Sequence, residues 1–262
     1  MLGSRGDHLL DYMTLDVWDH PEHPTAGARR AAFRRALRFL LPILRADPGL
    51  HTSLVRLVGQ PVQARCLTYS IGLPEEHRAA FQWLAGGEIL FGEPLSPSLA
   101  FTRFPWLSPD NNGIHLVPDD ETVSVTLASD IVLPRPWAPE RLSAAIGRIG
   151  TGRQQGPWVF DPLNHRALAL WPLKIALVHG GNHSIAAGIL AREGTLPAAL
   201  VDVTPWLERF SSTGYTFYDR TPRRTMTKRP SLWWALLWEL GRVIVHDGLS
   251  VPPWPRYQAP PT

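Results

Sequence analysis

Residues 178–188 read VHGGNHSIAAG, and this stretch decides the predicted fold. The apolar run before it, Leu173–Val178, is typical of a buried strand, and two glycines follow directly. Because glycine has no Cβ, the chain can turn tightly there. The pattern after the glycines predicts a helix over Ser184–Arg192, whose small residues let it pack close to the sheet. A strand, a tight turn and a helix are therefore expected in immediate succession.

The start of this helix predicts a place for an anion. The first N–H groups of a helix have no partner within it, and the helix dipole adds about half a positive charge there. Gly180 and Gly181 would let the anion approach the backbone, and Asn182 and His183 would donate to phosphate oxygens or activate a water. The competing interpretation is that Ser184 or Asn182 is an ordinary N-cap and that the glycines serve only the turn.

The elements around the turn form the most regular part of the chain. From residue 123 their predicted order is strand, helix, strand, strand, turn, helix, strand. The predicted ranges outside the turn are Val123–Leu127 extended by Asp130–Leu133, the helix Pro139–Ile149, and the strands Trp158–Phe160 and Pro197–Val203. This order predicts an α+β fold with a small mixed sheet.

On these residues the chain resembles the ParB/sulfiredoxin superfamily. Gly180–Ala187, between the strands Ile175–Val178 and Ala198–Val203, is similar to that family's phosphate-binding turn. Upstream, Ser129–Pro136 and the helix after it resemble the family's first strand and helix. The resemblance covers residues 120–205 and implies a divergent bacterial member. It also implies a nucleotide such as CTP or ATP, or a nucleic-acid phosphate, bound by Gly180, Gly181, Asn182 and Ser184.

The chain departs from the family pattern at two positions. Asn182 stands where sulfiredoxin-like members carry their catalytic cysteine, which excludes sulfinic-acid reduction. Ser184 stands where an arginine normally follows, and this removes a bidentate phosphate partner. Arg135, His165 and Arg166 are the expected supporting groups. If the site hydrolyses a nucleotide or a phosphodiester, His183 is the expected catalytic acid or base.

The rest of the chain is assigned to two flanking parts. Residues 1–119 are predicted to be mainly helical and loop-rich, and 206–262 to be a C-terminal helical extension with a proline-rich, disordered tail at 252–261. The clearest helix is predicted at 26–45, with Thr25 as its N-cap. Other predicted elements are short helices at 50–58 and 74–84, a strand at 61–70 and a helix at 231–245.

Composition bounds the class of protein. The chain has 262 residues, of which 44% are hydrophobic and 19% charged, and this excludes wholesale disorder. Its one cysteine, Cys66, excludes an intramolecular disulfide and a zinc site with two or more cysteines. No run is long and apolar enough to span a membrane, and the N-terminus lacks the pattern of a secretory signal. A cytoplasmic protein is expected, and its oligomeric state is left open.

The positive charge is supplied almost entirely by arginine, since Lys174 and Lys228 are the only lysines among 26 basic residues. Arginines surround the apolar stripe of helix 26–45, where a solvated helix face and a contact with nucleic-acid phosphates are the alternatives. A second basic segment, 220–229, follows three aromatic residues between 215 and 218. That arrangement suits single-stranded nucleic acid, and packing of the aromatics into the core is the alternative.

Two other functions stay open at the level of sequence. One is a non-enzymatic interaction or scaffold protein that keeps the fold without its ligand. The other is a metal-dependent hydrolase that uses histidines from several loops. Separately, Asp19–His23 has ligand types spaced closely enough for a metal, but its prolines oppose a helix and a solvated loop is the favoured interpretation. No residue is assigned as a metal ligand, although a divalent metal is left open as a cofactor. No nucleophile elbow or Walker loop is present.

Overall fold

A computed structural model describes residues 25–68, 122–221, 224–228 and 232–258. Six helices and eight strands lie in these ranges. The helices are α1 (Ala26–Ala46), α2 (His51–Leu67), α3 (Pro139–Arg148), α4 (Asn182–Ala191), α5 (Thr204–Arg209) and α6 (Leu232–His246). The strands are β1 (Thr122–Thr126), β2 (Ile131–Leu133), β3 (Arg166–Trp171), β4 (Ile175–Gly180), β5 (Thr195–Asp202), β6 (Phe210–Ser212), β7 (Thr216–Asp219) and β8 (Arg224–Lys228). The predicted helix at 74–84 and the Asp19–His23 motif lie outside the described residues.

The central element is a five-stranded mixed sheet in the order β1-β5-β3-β4-β2. β3 runs parallel to β5 and antiparallel to β4, whereas β2 is parallel to β4 and β1 is antiparallel to β5. A separate antiparallel sheet joins β6, β7 and β8. The predicted α+β class with a small mixed sheet is confirmed.

Side chains on the two faces of the sheet enter different hydrophobic clusters. Along β3, Leu168 and Leu170 face one cluster while Ala167 and Ala169 face the other, as the two-residue period of a strand requires. The leucine side is covered by apolar residues of α1, α2, α5 and α6. The alanine side is covered by α4 and two tryptophans, and α3 packs on α4. The sheet is therefore the middle of three layers, and it separates α1 from α4.

The two N-terminal helices differ in how well the sequence predicted them. α1 begins as expected, because the Thr25 side chain accepts a hydrogen bond from the Ala28 amide. α2 continues to Leu67, so the predicted strand at 61–70 is wrong over its described part. Val58, Val62 and Cys66 recur at four-residue spacing and are buried in the core, and this packing carries the helix through Pro61.

The prediction for Trp158–Phe160 is also wrong, because this segment is an irregular loop. The Trp158 amide donates to the Glu193 carboxylate rather than to a neighbouring strand (3.2 Å). The strand that pairs with β4 is β3, at Arg166–Trp171. The sequence analysis predicted a loop over 161–166 and no strand at these residues.

The C-terminal part is not purely helical, and its described tail, 251–258, packs on the rest of the protein. The extension contains the sheet β6–β8 as well as α6, which matches the predicted helix. In the tail, Trp254 is buried and lies 4.5 Å from the Lys174 ammonium, which also donates to the Pro253 carbonyl. The Tyr257 amide then donates to Thr122 at the edge of β1 (2.9 Å). These bonds explain why a proline-rich segment is held in place.

One hydrophobic cluster includes residues from all three parts that the sequence delimits, among them Phe33, Leu170 and Leu237. The predicted boundaries near 120 and 205 therefore do not separate independent cores within the described ranges. In the same ranges, no helix has the length and apolar character to cross a membrane.

The close packing of α4 on the sheet side predicts a difference between two helical glycines. A Cβ on Gly188 would lie 2.6 Å from Leu127 Cδ1 and 2.7 Å from Trp158 Cδ1, whereas one on Gly147 of α3 would meet nothing within 4 Å. Gly188→Ala should lower the free energy of unfolding by about 1–3 kcal/mol through overpacking. Gly147→Ala should raise it by about 0.5–1 kcal/mol through helix propensity. Urea denaturation of both variants measures this, and an equal effect at the two positions would contradict the packing.

Candidate functional site

The strand, tight turn and helix expected around residue 180 are present. β4 ends at Gly180, Gly181 takes the left-handed conformation (φ +71°, ψ 26°), and α4 begins at Asn182, two residues earlier than predicted. No side chain caps the first turn of α4. The amides of Asn182, His183 and Ser184 therefore have no partner within the helix or from a cap.

The side-chain positions of both glycines are occupied by a neighbouring turn. A Cβ on Gly180 would lie 2.6 Å from the Asn164 carbonyl oxygen, and a Cβ on Gly181 would overlap the ring of His165. The sequence predicts that the missing side chains admit an anion. In the structure, the space left by the missing side chains is filled by the turn 161–165. An anion therefore has to approach the helix start from another side.

A chain of hydrogen bonds joins this neighbouring turn to α4. The Asp161 amide donates to His165 Nδ1 (2.9 Å), His165 Nε2 lies 2.5 Å from Ser184 Oγ, and Ser184 Oγ donates to the Gly181 carbonyl (3.1 Å). His165 is buried and stacks on Trp158, with ring centroids 4.8 Å apart. The Trp158 indole N–H in turn donates to the Ser184 carbonyl (2.9 Å). His165 and Ser184 are thus brought together as the sequence expected.

A histidine beside a serine suggests a nucleophile and its base, but the tautomer opposes that chemistry. Nδ1 of His165 accepts a backbone hydrogen bond, so the proton of the neutral ring is on Nε2 and is donated to Ser184 Oγ. A general base would need a free lone pair at Nε2. Burial lowers the pKa of His165, which keeps the ring neutral. The pair therefore fixes the position of α4 and does not activate the hydroxyl.

Asn182 and His183 hold the loop that follows β2. Asn182 Oδ1 accepts from the Arg135 amide (2.6 Å), and His183 Nε2 accepts from the Ala138 amide (3.1 Å). Both side chains are half-buried. Their acceptor atoms therefore bind protein backbone, while the N–H groups of the Asn182 side-chain amide and of His183 Nδ1 are the atoms that could donate to a phosphate, as the sequence predicts.

The surroundings of His183 favour its neutral form. Burial lowers its pKa to about 4, and the nearby Arg141 guanidinium contributes in the same direction. At pH 7 the ring is neutral with its proton on Nδ1, because Nε2 is engaged as an acceptor. His183 is consequently a donor near the helix start, and it serves as a base only if the bond to Ala138 breaks.

Three arginines border the helix start from three different elements. Arg135 belongs to the loop bound by Asn182, and Arg166 begins β3 opposite Gly180, where its Cβ and Cγ line the glycine. Arg141 lies on α3 with its guanidinium 4.8 Å from the centre of the Trp137 ring, which contacts His183 edge-on. The structure thus gathers the predicted Arg135 and Arg166 around the turn.

Sequence reasoning did not single out Trp158, Trp137 or Arg141 for this region. Trp158 was assigned to a strand, and Arg141 lies on the helix predicted at 139–149 without a motif of its own. A local signal for Arg141 is its place in the first turn of α3, directly after the helix-starting Pro139 and near Trp137. In the described ranges no three histidine, cysteine or acidic side chains come together as a metal site.

Comparison with known proteins identifies a family but no activity. A family model described as a family of unknown function (DUF6710) matches residues 29–250, which is most of the chain, so the chain belongs to this family. No curated protein and no solved structure matches the chain. The resemblance to the ParB/sulfiredoxin superfamily therefore stays a prediction.

The lowered pKa of His183, together with that of the fully buried His51 (about 4), predicts acid sensitivity. Both rings are neutral in the folded protein, whereas an unfolded histidine binds a proton below about pH 6.5. The stability contributed by these two neutral rings should therefore be lost as the pH drops from 6.5 towards 4, by about 3 kcal/mol for the fully buried His51 and by less for the half-buried His183, which solvent screens. The free energy of unfolding of the unchanged protein should fall between pH 7 and pH 4.5, and this fall should be smaller in His183→Gln. Urea denaturation at both pH values measures the difference. An unchanged loss would contradict the burial of this ring.

Proposed function

We propose that this member of the DUF6710 family binds a phosphate group of a nucleotide or nucleic acid at the start of α4. The observation that carries the proposal is the uncapped first turn of α4, bordered by arginines from the loop after β2, from α3 and from β3. Backbone amides at a helix start favour an anion because their N–H groups and the helix dipole act together. The residues from Gly180 to Ser184 are only half-buried, so solvent reaches the turn.

The arrangement supports binding more strongly than hydrolysis. His183, the expected acid or base, has its Nε2 lone pair engaged by Ala138 and a pKa lowered to about 4. Its Nδ1–H donates to a phosphate oxygen without any change of protonation. Ser184 is held by His165 and Gly181. A bound phosphate would thus be contacted by amides, one imidazole N–H and guanidinium groups.

Titrations with ATP, CTP, single-stranded DNA and duplex DNA test this proposal. Arg166→Gln should weaken binding of the preferred ligand by about tenfold or more, because a hydrogen bond to a charged group contributes about 1.5–3 kcal/mol. His183→Gln should weaken it less. Isothermal titration calorimetry measures both, and release of inorganic phosphate reports any turnover.

Arg192→Gln is the matched control, since Arg192 caps the opposite end of the same helix. The Arg192→Gln variant should bind the preferred ligand with the same affinity as the unchanged protein. If none of the four ligands binds, or if the two arginine variants lose affinity equally, the proposed site is wrong.

A second candidate function is a scaffold that retains the fold without a ligand. The favouring observation is that Asn182, His183, Ser184 and His165 all hydrogen-bond within the protein. In that case Gly181→Val lowers stability, because of the left-handed backbone and the His165 ring, and no ligand titration of the unchanged protein shows heat.

A further inference from the structure

The outer face of α1 carries an unusual concentration of positive charge. This helix contains six arginines and no acidic residue over its 21 positions. Its inner face, with Phe33, Leu40 and Leu44, is buried in the core shared with α6. The arginines at positions 30, 34, 35 and 38 are exposed, and we call them the α1 arginine face.

Most of this charge is not neutralised by other described residues. Arg45, near the end of the helix, pairs with Asp247 at 2.6 Å. Arg34, Arg35 and Arg38 make no ion pair with any part of the chain that the structure describes, and Arg38 donates instead to the Arg34 carbonyl (3.4 Å). Like charges four residues apart destabilise a helix by a few tenths of a kcal/mol per pair. Helix stability therefore gives no reason for this pattern, whereas a polyanionic partner does.

Exposed aromatic surface lies beside these arginines. The Phe39 side chain follows Arg38 directly, lies one turn beyond Arg35 and is 63% exposed. At the other end of the face, the Arg30 guanidinium lies 5.4 Å from the centre of the Tyr215 ring. An exposed phenylalanine one helical turn from an exposed arginine, Arg35, offers a stacking surface for a base near a donor for its phosphate.

The fold also joins two segments that are far apart in the sequence. Tyr215 lies in the turn between β6 and β7, and Gly214 in that turn packs directly against Phe33 of α1. β8, whose sequence is RTMTK, pairs with β7 in the same small sheet. The arginine-rich helix and the basic segment after residue 219 thus belong to one region of the molecule.

We propose that the α1 arginine face and Phe39 bind single-stranded nucleic acid. Arginine suits phosphate because its planar guanidinium donates two parallel hydrogen bonds. Stacking on Phe39 requires an unpaired base. The surface lies across the central sheet from α4 and does not depend on the phosphate site proposed there.

Fluorescence anisotropy with a short labelled single-stranded DNA of mixed sequence, over a series of salt concentrations, tests this surface. The logarithm of the affinity should fall with the logarithm of salt by about 0.7 for each phosphate neutralised. The triple variant Arg34→Gln, Arg35→Gln, Arg38→Gln should therefore bind more weakly and show a slope shallower by about 2. Circular dichroism checks that the variant stays folded.

Phe39→Leu separates stacking from charge. It should lower the affinity by about tenfold through loss of base stacking, with the salt slope unchanged. If the surface binds through charge alone, Phe39→Leu should bind the oligonucleotide with the same affinity as the unchanged protein. That result would overturn the stacking part of the proposal.

Two arginines elsewhere provide matched controls. Arg45→Gln removes a charge that Asp247 already neutralises, so its salt slope should stay unchanged. Arg192→Gln at the end of α4, on the opposite side of the sheet, should leave oligonucleotide binding by α1 unchanged, so the loss of any one positive charge is distinguished from the loss of this surface. Absence of binding at low salt, an unchanged slope in the triple variant, or tighter binding to the matching duplex or to anionic lipid vesicles would overturn the proposal.

Discussion

The central part of the molecule depends on the absence of a side chain at two consecutive positions. Gly180 and Gly181 allow the turn 161–165 to lie against the end of β4 and the start of α4, with the His165 ring in the place that a Cβ on Gly181 would take. From that contact follow the bond from His165 to Ser184 and the stacking of Trp158 on His165. Trp158 covers the alanine side of the sheet, so the glycine turn, the buried histidine and one of the two hydrophobic clusters form one unit.

This unit also decides which groups remain available for a ligand. The polar side chains at the turn are bonded to backbone groups of the loops around it, so they position α4 and the loop after β2. The amide N–H groups at the helix start have no partner within the helix, and the arginines at positions 135, 141 and 166 lie around them. Under the proposed function an anion would be held there by charge and hydrogen bonds, and of the polar side chains described at the turn, His165 and His183 have their acceptor nitrogens engaged by backbone amides. The basic surface of α1 lies on the other side of the sheet, so the two proposed binding regions are separate in the molecule.

Local patterns predicted the elements whose own residues specify them. The N-cap at Thr25, the alternation along β1 and the glycines before α4 each have a nearby physical cause, and the structure contains all three elements. Predictions failed where distant contacts decide. Trp158 has the residue type of a strand, but its amide and indole bond to Glu193 and Ser184, and the tail at 252–258 is held by Lys174 and β1. The gathering of His165 and Arg166 at the turn was predicted from the order of elements, whereas the filling of the glycine space by His165 has no signal in the sequence.

A double-mutant cycle tests the central contact most directly. Gly181→Ala is measured by urea denaturation in the unchanged chain and in a chain that carries His165→Ala. In both chains, an alanine in the left-handed conformation at residue 181 lowers the free energy of unfolding by about 1 kcal/mol. Only the chain with His165 retains the imidazole ring that the new Cβ would overlap. The substitution should therefore cost at least about 1 kcal/mol more when His165 is present. Equal costs in the two backgrounds would contradict the account.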